Sequence, residues 1–160
     1  MSYWRLFYHI TFAVKNREPL ISSAIQPAIF RAITAKTAEL NAIVHAIGGI
    51  EDHVHLAVSI PPKISLADFI GQVKGYSSHF INHTASPDSR FAWQEDYGVV
   101  SFGEKQLPVV VAYIHNQSAH HQQNTGFDGL ERTDELPDKP AKIGEDSPIY
   151  ETAPEIDSPI

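Results

Sequence analysis

The segment EDHVHLAV at residues 51–58 decides how the chain is interpreted, because it sets two histidines into an apolar run. In an extended strand alternate side chains share a face, so His53 and His55 point one way while Val54 and Leu56 point the other. Two neutral imidazoles held side by side can bind one divalent metal ion. The same pair can also be two histidines that are simply satisfied on a half-buried strand. A second motif is therefore needed to choose between these interpretations.

Working outward from this segment, strand and helix signals alternate. Strands are predicted at residues 3–14, which are β-branched and aromatic, at 41–50, from His53 to Pro61, and at 98–102. Helices are predicted from Ser22 or Ser23 to Leu40, from Ser65 to Phe80, and from Leu107 to Gln123. Gly48-Gly49 predicts a bulge or a tight turn between the second and third strands.

The order of these elements predicts the fold class. A β-α-β-β-α-β series is typical of a ferredoxin-like α+β fold, an antiparallel sheet with helices on one face. The C-terminal helix carrying Tyr113 is added to that series. We expect residues 1–124 to form one domain. Residues 125–160 are rich in proline and acidic side chains and predict a tail without a core of its own.

Composition narrows the function classes. The chain of 160 residues has no cysteine, which excludes disulfides, zinc-thiolate sites and a thiol nucleophile. A reducing cytoplasm is the compartment we expect. No run approaches the roughly 18 apolar residues of a membrane span, so no membrane partner is expected.

The formal charge of -7 is unevenly distributed. Residues 1–125 carry nine basic and nine acidic side chains, whereas residues 126–160 carry three basic and ten acidic ones. The acidity therefore belongs to the tail and says little about what the folded part binds. A neutral body is nevertheless unusual for a nucleic-acid-binding protein, where a basic patch is typical.

The second motif is Tyr113-Ile114-His115-Asn116-Gln117 on the last predicted helix. Tyr113 and Gln117 stand at i and i+4, so they share a helix face. A phenol is a weak nucleophile at neutral pH, with an unperturbed pKa of about 10. A divalent metal held by two imidazoles and an amide oxygen could polarise a phosphate for attack by that phenol. Each residue also has an ordinary interpretation, Tyr113 as packing and Gln117 as a solvated side chain.

At this point the sequence resembles a known family, the single-tyrosine HUH transposases of the IS200 type. The resemblance runs from about Tyr3 to Gln123. Besides the two motifs already quoted, it rests on three segments: Lys15-Asn16-Arg17, 74–78 (KGYSS) and 93–98 (WQEDYG), with His120-His121 following the tyrosine motif.

The resemblance implies a function and a site. It implies that His53, His55 and Gln117 bind a divalent metal, with Mg²⁺ or Mn²⁺ expected, and that Tyr113 is the catalytic nucleophile. The implied reaction is DNA transposition: cleavage and rejoining of single-stranded DNA at hairpin-marked ends through a 5′-phosphotyrosine intermediate. The implied assembly is a homodimer, in which the tyrosine helix of one subunit can complete the metal site of the other.

Basic and aromatic residues elsewhere in the chain are candidates for DNA contact. The candidates are Lys15, Arg17, Lys74 and Arg90 for phosphates, with Trp93 for stacking on bases. Ordinary surface charge and ordinary core packing are the alternatives. A rival enzyme class with a His-x-His-x-His motif is excluded because position 57 is alanine. The remaining rival is a domesticated single-stranded nucleic-acid-binding protein with the same fold and little or no transposition activity.

Overall fold

The computed structural model describes residues 2–85 and 89–117, and it folds them into four strands and three α-helices. The strands are β1 (Phe7–Ala13), β2 (Ile43–Ile50), β3 (His53–Ser59) and β4 (Gly98–Phe102). The α-helices are α1 (Gln26–Glu39), α2 (Leu66–Phe80) and α3 (Leu107–His115). None of the described helices is long and apolar enough to span a membrane. The predicted tail at 125–160 lies outside the described residues.

The four strands form one antiparallel sheet in the order β2-β3-β1-β4. The two strands at the centre, β1 and β3, are far apart in sequence and pair directly, with Ile10 opposite Leu56. This arrangement confirms the predicted ferredoxin-like sheet.

One face of the sheet carries the main hydrophobic core. Even-numbered residues of the central strands, such as Ile10 and Leu56, lie on this face because strand side chains alternate. Helices α1 and α2 cover it with the following buried side chains: Ile29, Ile33, Phe69, Ile70 and Val73. The predicted placement of these two helices on one face is confirmed.

Helix α3 covers the opposite face. A smaller cluster joins Val110, Tyr113 and Ile114 of α3 to Ala46 and Ala57 of the sheet. The odd-numbered residues of β3 therefore point towards the helix that carries Tyr113, and the molecule has three layers, with the sheet between α1/α2 and α3.

Local signals set the helix ends. Ser65 is the N-cap of α2, and its side chain accepts a hydrogen bond of 3.1 Å from the backbone N–H of Asp68. Helix α1 begins at Gln26, later than predicted, after a turn in which Ser22 O accepts from the backbone N–H of Gln26. Pro27 lies in the first turn of α1, where its missing N–H costs nothing.

Two predicted elements are longer than those observed. The first strand begins at Phe7 rather than Tyr3, because Phe7 already pairs with Phe102, the last residue of β4. Helix α3 ends at His115, with Asn116 as its C-cap. Residues 118–123 of the predicted helix lie outside the described residues.

The prediction for Gly48-Gly49 was wrong. Both glycines are regular members of β2, paired with His55 and Val54, and the turn to β3 consists of residues 51 and 52. The bulge lies earlier, between Val44 and Ala46, so His45 is the extra residue of the strand. Because it adds one residue, the bulge exchanges the faces of all later β2 side chains.

His45 is held in this bulge by a hydrogen bond and a ring contact. Its Nε2 lies 2.8 Å from Ser59 Oγ, and its ring packs against Phe7 with 5.4 Å between ring centroids. Burial, together with the positive charge of Arg5, lowers the pKa of His45 below its usual 6.5.

This lowered pKa predicts a pH-dependent loss of stability. The unfolded chain binds a proton at His45 more readily than the folded one, so the stabilisation is present above pH 6.5 and is lost as the pH falls through the folded-state pKa. We expect the free energy of unfolding, measured by urea titration, to fall less in His45→Gln than in the wild type between about pH 7.5 and pH 5. The control is His79→Gln, which changes an exposed histidine and should show the same pH dependence as the wild type. If the free energy of unfolding of His45→Gln fell with pH as steeply as that of the wild type, the prediction would be contradicted.

Candidate active site

Four polar side chains lie together on the face of the sheet that α3 covers. They are His9 and Thr11 of β1 and His53 and His55 of β3, and each is at most 2% exposed. Thr11 is the direct cross-strand partner of His55, and His53 stands two residues before His55 on the same face. The ring centroids of His53 and His55 are 4.9 Å apart. The predicted placement of the two histidines on one face is therefore confirmed.

Asp52 orients the ring of His53. The Nδ1 atom of His53 lies 2.6 Å from Asp52 Oδ1, the geometry of an N–H donating to a carboxylate. Arg17 pairs with the other carboxylate oxygen at 3.7 Å and lies 3.3 Å from His53 Nδ1. With Nδ1 carrying the proton, Nε2 is the ring nitrogen that can act as a metal ligand.

His55 is oriented differently, by an imidazole and a hydroxyl group. Its Nδ1 atom lies 2.8 Å from His9 Nε2 and 3.2 Å from Thr11 Oγ1. The sequence reasoning did not select His9 or Thr11. The signal was present in the alternation of β1, where these two polar residues interrupt an otherwise apolar strand.

Helix α3 brings Tyr113 to the same group. The Tyr113 side chain is 5% exposed, and its ring centroid lies 6.0 Å from that of His55 and 6.2 Å from that of His9. Tyr113 thus lies beside the histidine pair of its own chain.

Gln117 is buried just beyond the end of α3. Its Nε2 donates to the carbonyl oxygen of Tyr113 over 3.2 Å, and the residue is only 2% exposed. Its Oε1 atom is buried and accepts no hydrogen bond from the described residues. A buried amide oxygen without a donor is costly, and a metal ion is one partner that would satisfy it.

The donor set fits a hard or borderline divalent ion. The amide oxygen suits Mg²⁺ or Mn²⁺, whereas the two imidazole nitrogens would also accept borderline ions such as Zn²⁺ or Fe²⁺. Within residues 2–85 and 89–117 no cluster of three or more His, Cys, Asp or Glu side chains is arranged to hold a metal. Of the residues predicted for the site, Gln117 is therefore the one that could supply a third protein ligand beside His53 and His55.

Gly48 fixes how closely α3 approaches the sheet. A Cβ atom added to Gly48 would lie 2.3 Å from the carbonyl oxygen of Ile114, next to Tyr113. Gly48 is also the cross-strand partner of His55. The absence of a side chain at Gly48 therefore lets the tyrosine helix lie directly against the strand pair that carries the histidines.

The predicted DNA contacts have mixed outcomes. Lys15, Arg17 and Arg90 are exposed, and their role in binding DNA stays a prediction. For Trp93 the alternatives were base stacking and core packing, and the structure places its ring in the core. Its ring is 9% exposed and packs edge-on against Phe12 and Phe91, and its Nε1 donates to Ser77 Oγ over 2.9 Å.

Lys74 has a structural role in the described conformation. Its Nζ donates to the carbonyl oxygens of Gln94, Glu95 and Asp96 at 2.5, 2.9 and 3.2 Å, which uses all three ammonium protons. Burial lowers the pKa of Lys74, an effect that the carboxylates of Asp96 and Glu95 partly offset. In this conformation the Lys74 ammonium binds the three carbonyl oxygens, and its contact with a phosphate stays a prediction.

Comparison with known proteins adds an independent line of support. Residues 2–117 match the family described as "Transposase IS200 like". Over 75 residues the chain is 32% identical to the transposase for insertion sequence element IS200 of Salmonella typhimurium; this match covers 47% of the chain and 49% of that protein, so the chain spans about half the length of this curated relative. It is 23% identical over 119 residues to the ISDra2 transposase TnpA of Deinococcus radiodurans, covering 71% of the chain and 85% of that protein.

Two solved structures share the fold. A crystal structure of a Deinococcus radiodurans protein superposes with a TM-score of 0.59 at 20% identity, covering 73% of this chain and 95% of that one. A REP-associated tyrosine transposase, solved bound to a REP hairpin, superposes with a TM-score of 0.58 at 16% identity, covering 76% of this chain and 74% of that one. At these identities the likeness concerns the fold.

Because α3 lies so close to Gly48, adding a single methyl group at this position should destabilise the protein. Gly48→Ala should displace the end of α3 and lower the free energy of unfolding by about 1–3 kcal/mol, the usual cost of overpacking. Urea unfolding measures this loss. Gly71→Ala in α2 is the matched control, since an added Cβ meets nothing within 4 Å and alanine should stabilise that helix by about 0.5–1 kcal/mol. Wild-type stability in Gly48→Ala would contradict the close contact.

Proposed function

The chain belongs to the family of IS200-like transposases, and from that premise we propose that it cleaves and rejoins single-stranded DNA, with Tyr113 as nucleophile and a divalent metal held by His53, His55 and Gln117. The observation that carries the proposal is the convergence of these residues. The histidines come from a central strand, and Tyr113 from a helix more than fifty residues later, yet the Tyr113 and His55 rings lie 6.0 Å apart on one buried face.

Each residue of the site has a separate role in the proposed reaction. When bound, the metal ion would polarise a phosphate oxygen and raise the electrophilicity of phosphorus. Asp52 holds His53, and His9 with Thr11 holds His55, so the rings keep a fixed orientation. Because Tyr113 is buried, few water molecules can attack the phosphorus in place of its phenol oxygen.

The proposed reaction balances in bonds and protons. The Tyr113 oxygen forms a bond to the phosphorus of a backbone phosphodiester, and the bond from phosphorus to the 3′ oxygen breaks. The phenolic proton passes to solvent and the departing 3′ oxygen takes one up, leaving a 5′-phosphotyrosine and a free 3′-hydroxyl. Attack of a 3′-hydroxyl on the phosphotyrosine reverses these changes, rejoins the strand and regenerates the phenol, so no external energy source is needed.

The proposed partner is a single-stranded DNA hairpin. The REP-associated transposase with a similar fold was solved with a REP hairpin, which supports this class of ligand. Exposed Lys15, Arg17 and Arg90 are the candidates for phosphate contacts. We also propose that two copies act together as a homodimer, as the resemblance implies, so that two ends can be processed at once.

A covalent adduct on a denaturing gel tests the chemistry. The substrate is a pool of single-stranded oligonucleotides, each with a hairpin, randomised flanks and a 3′ fluorescent label, because the 3′ part of the strand stays on the tyrosine. With Mg²⁺ or Mn²⁺ we expect a labelled protein band that disappears with EDTA and in Tyr113→Phe. Sequencing the bound strands then identifies the cleavage site.

The matched control is Tyr3→Phe, which removes the same hydroxyl from a residue that is 88% exposed. It should give the wild-type yield of adduct. An equal yield in Tyr113→Phe would overturn the assignment of the nucleophile. Retention of the hairpin pool by the wild type without any adduct would favour the rival proposal, a domesticated nucleic-acid-binding protein.

Arg17 gives a separate prediction about DNA binding. Both Asn16 and Arg17 adopt the left-handed conformation, with φ of 59° and 54°, a strained arrangement that places the Arg17 guanidinium beside Asp52 and His53. If Arg17 contacts one phosphate, Arg17→Gln should weaken binding of the selected strand and flatten the slope of log affinity against log salt by about 0.7. Fluorescence anisotropy at several salt concentrations measures both effects.

Arg31→Gln is the control for this experiment. Arg31 is exposed on α1, which covers the other face of the sheet, and its removal subtracts the same charge. An equal change of slope in both variants would mean that Arg17 acts through net charge rather than through a contact.

A further inference from the structure

His9 is a buried histidine that the proposed mechanism does not use as a ligand. It is 2% exposed, in the middle of the central strand β1, and its Nε2 lies 2.8 Å from Nδ1 of His55. The two rings are tilted by 36° with centroids 5.0 Å apart. At this nitrogen–nitrogen distance one of the two atoms carries a proton and donates it to the other.

The direction of that hydrogen bond decides what His55 can do. A neutral imidazole has one protonated nitrogen and one nitrogen with a free electron pair. If His55 donates from Nδ1, its Nε2 holds the electron pair that a metal requires. If His55 instead accepts at Nδ1, its Nε2 carries the proton and cannot bind a metal.

We propose that His9 is a positioning residue that accepts the Nδ1 proton of His55 and so fixes His55 in the tautomer that binds metal through Nε2. The proposal rests on the proposed function, because it assigns His55 as a metal ligand. For His9 to accept at Nε2, its own proton must reside on Nδ1. The two histidines therefore form a chain of defined polarity, with the metal at its far end.

The contrast between the two ligand histidines supports this role. His53 is oriented by the carboxylate of Asp52 at 2.6 Å, the common arrangement for a metal-binding histidine. At His55 the imidazole of His9 is closer to Nδ1 than the Thr11 hydroxyl, at 2.8 against 3.2 Å. A neutral acceptor fixes the tautomer of His55 without adding a second negative charge to a buried site.

Two variants separate hydrogen bonding from packing. His9→Gln keeps an acceptor, since the amide oxygen can occupy the region of the imidazole Nε2. His9→Leu keeps apolar volume but has no acceptor. If His9→Leu fails to fold, His9→Asn replaces it, because the shorter amide stays polar but does not reach His55.

The first measurement is the tautomer of His55 in the metal-free protein, read from the ¹⁵N chemical shifts of its ring and assigned with His55→Gln. We expect the wild type and His9→Gln to carry the proton on Nδ1 and His9→Leu to move it towards Nε2. The second is Mn²⁺ affinity, measured by electron paramagnetic resonance. We expect a loss of about 10–100-fold in His9→Leu, the usual effect of removing an outer partner of a ligand, and near wild-type affinity in His9→Gln.

The outcomes distinguish this proposal from the proposed function. An unchanged tautomer in His9→Leu, or equal losses of Mn²⁺ affinity in the Leu and Gln variants, would overturn the role of His9 while leaving the adduct experiment untouched. Failure of the wild type to bind Mn²⁺ would contradict the metal site itself and with it the purpose assigned to His9.

Discussion

The antiparallel pairing of β1 with β3 is the constraint on which the rest of the structure depends. Both strands lie at the centre of the sheet, and both are covered on each face, so their alternating side chains serve two purposes. One set, including Ile10 and Leu56, builds the core under α1 and α2. The other set brings Thr11 and His9 to His55. Because the period of a strand is two, a shift of one residue would exchange the core and the site.

The candidate site combines histidines from a central strand of the sheet with a tyrosine from a helix that packs on its surface. His53 and His55 belong to the best-buried strand of the sheet, and their partners lie on the same strand pair or in the turn that precedes it. Tyr113 comes from a helix that lies on the sheet through a small contact with Ala46, Ala57 and Gly48. The histidine pair proposed to bind the metal is therefore fixed by folding of the core, whereas the position of Tyr113, the proposed nucleophile, depends on how one short helix packs.

The sequence predicted those features that depend on local periodicity. Alternation predicted that His53 and His55 share a face, and the serine at position 65 predicted the start of α2. Features that depend on cross-strand register were missed, since the alternation of β1 marks His9 as a polar residue but does not reveal that it meets His55. The choice between base stacking and core packing for Trp93 could not be made for a related reason: an aromatic residue in a polar segment gives no sign that its ring packs into the core and donates to Ser77. The roles of Tyr113 and Gln117 came from resemblance rather than from spacing alone.

The bulge at His45 makes an edge strand unusually sensitive to its length. Surface loops commonly tolerate insertions and deletions, because few contacts depend on their exact number of residues. In β2, however, the extra residue determines that Gly48, and not Ile47, lies beneath the tyrosine helix. If one residue were lost or gained near position 45, β2 could still pair with β3. A bulky side chain would then take the place of Gly48 against α3. The exposed positions of this strand can therefore accept different side chains, but the number of its residues cannot change.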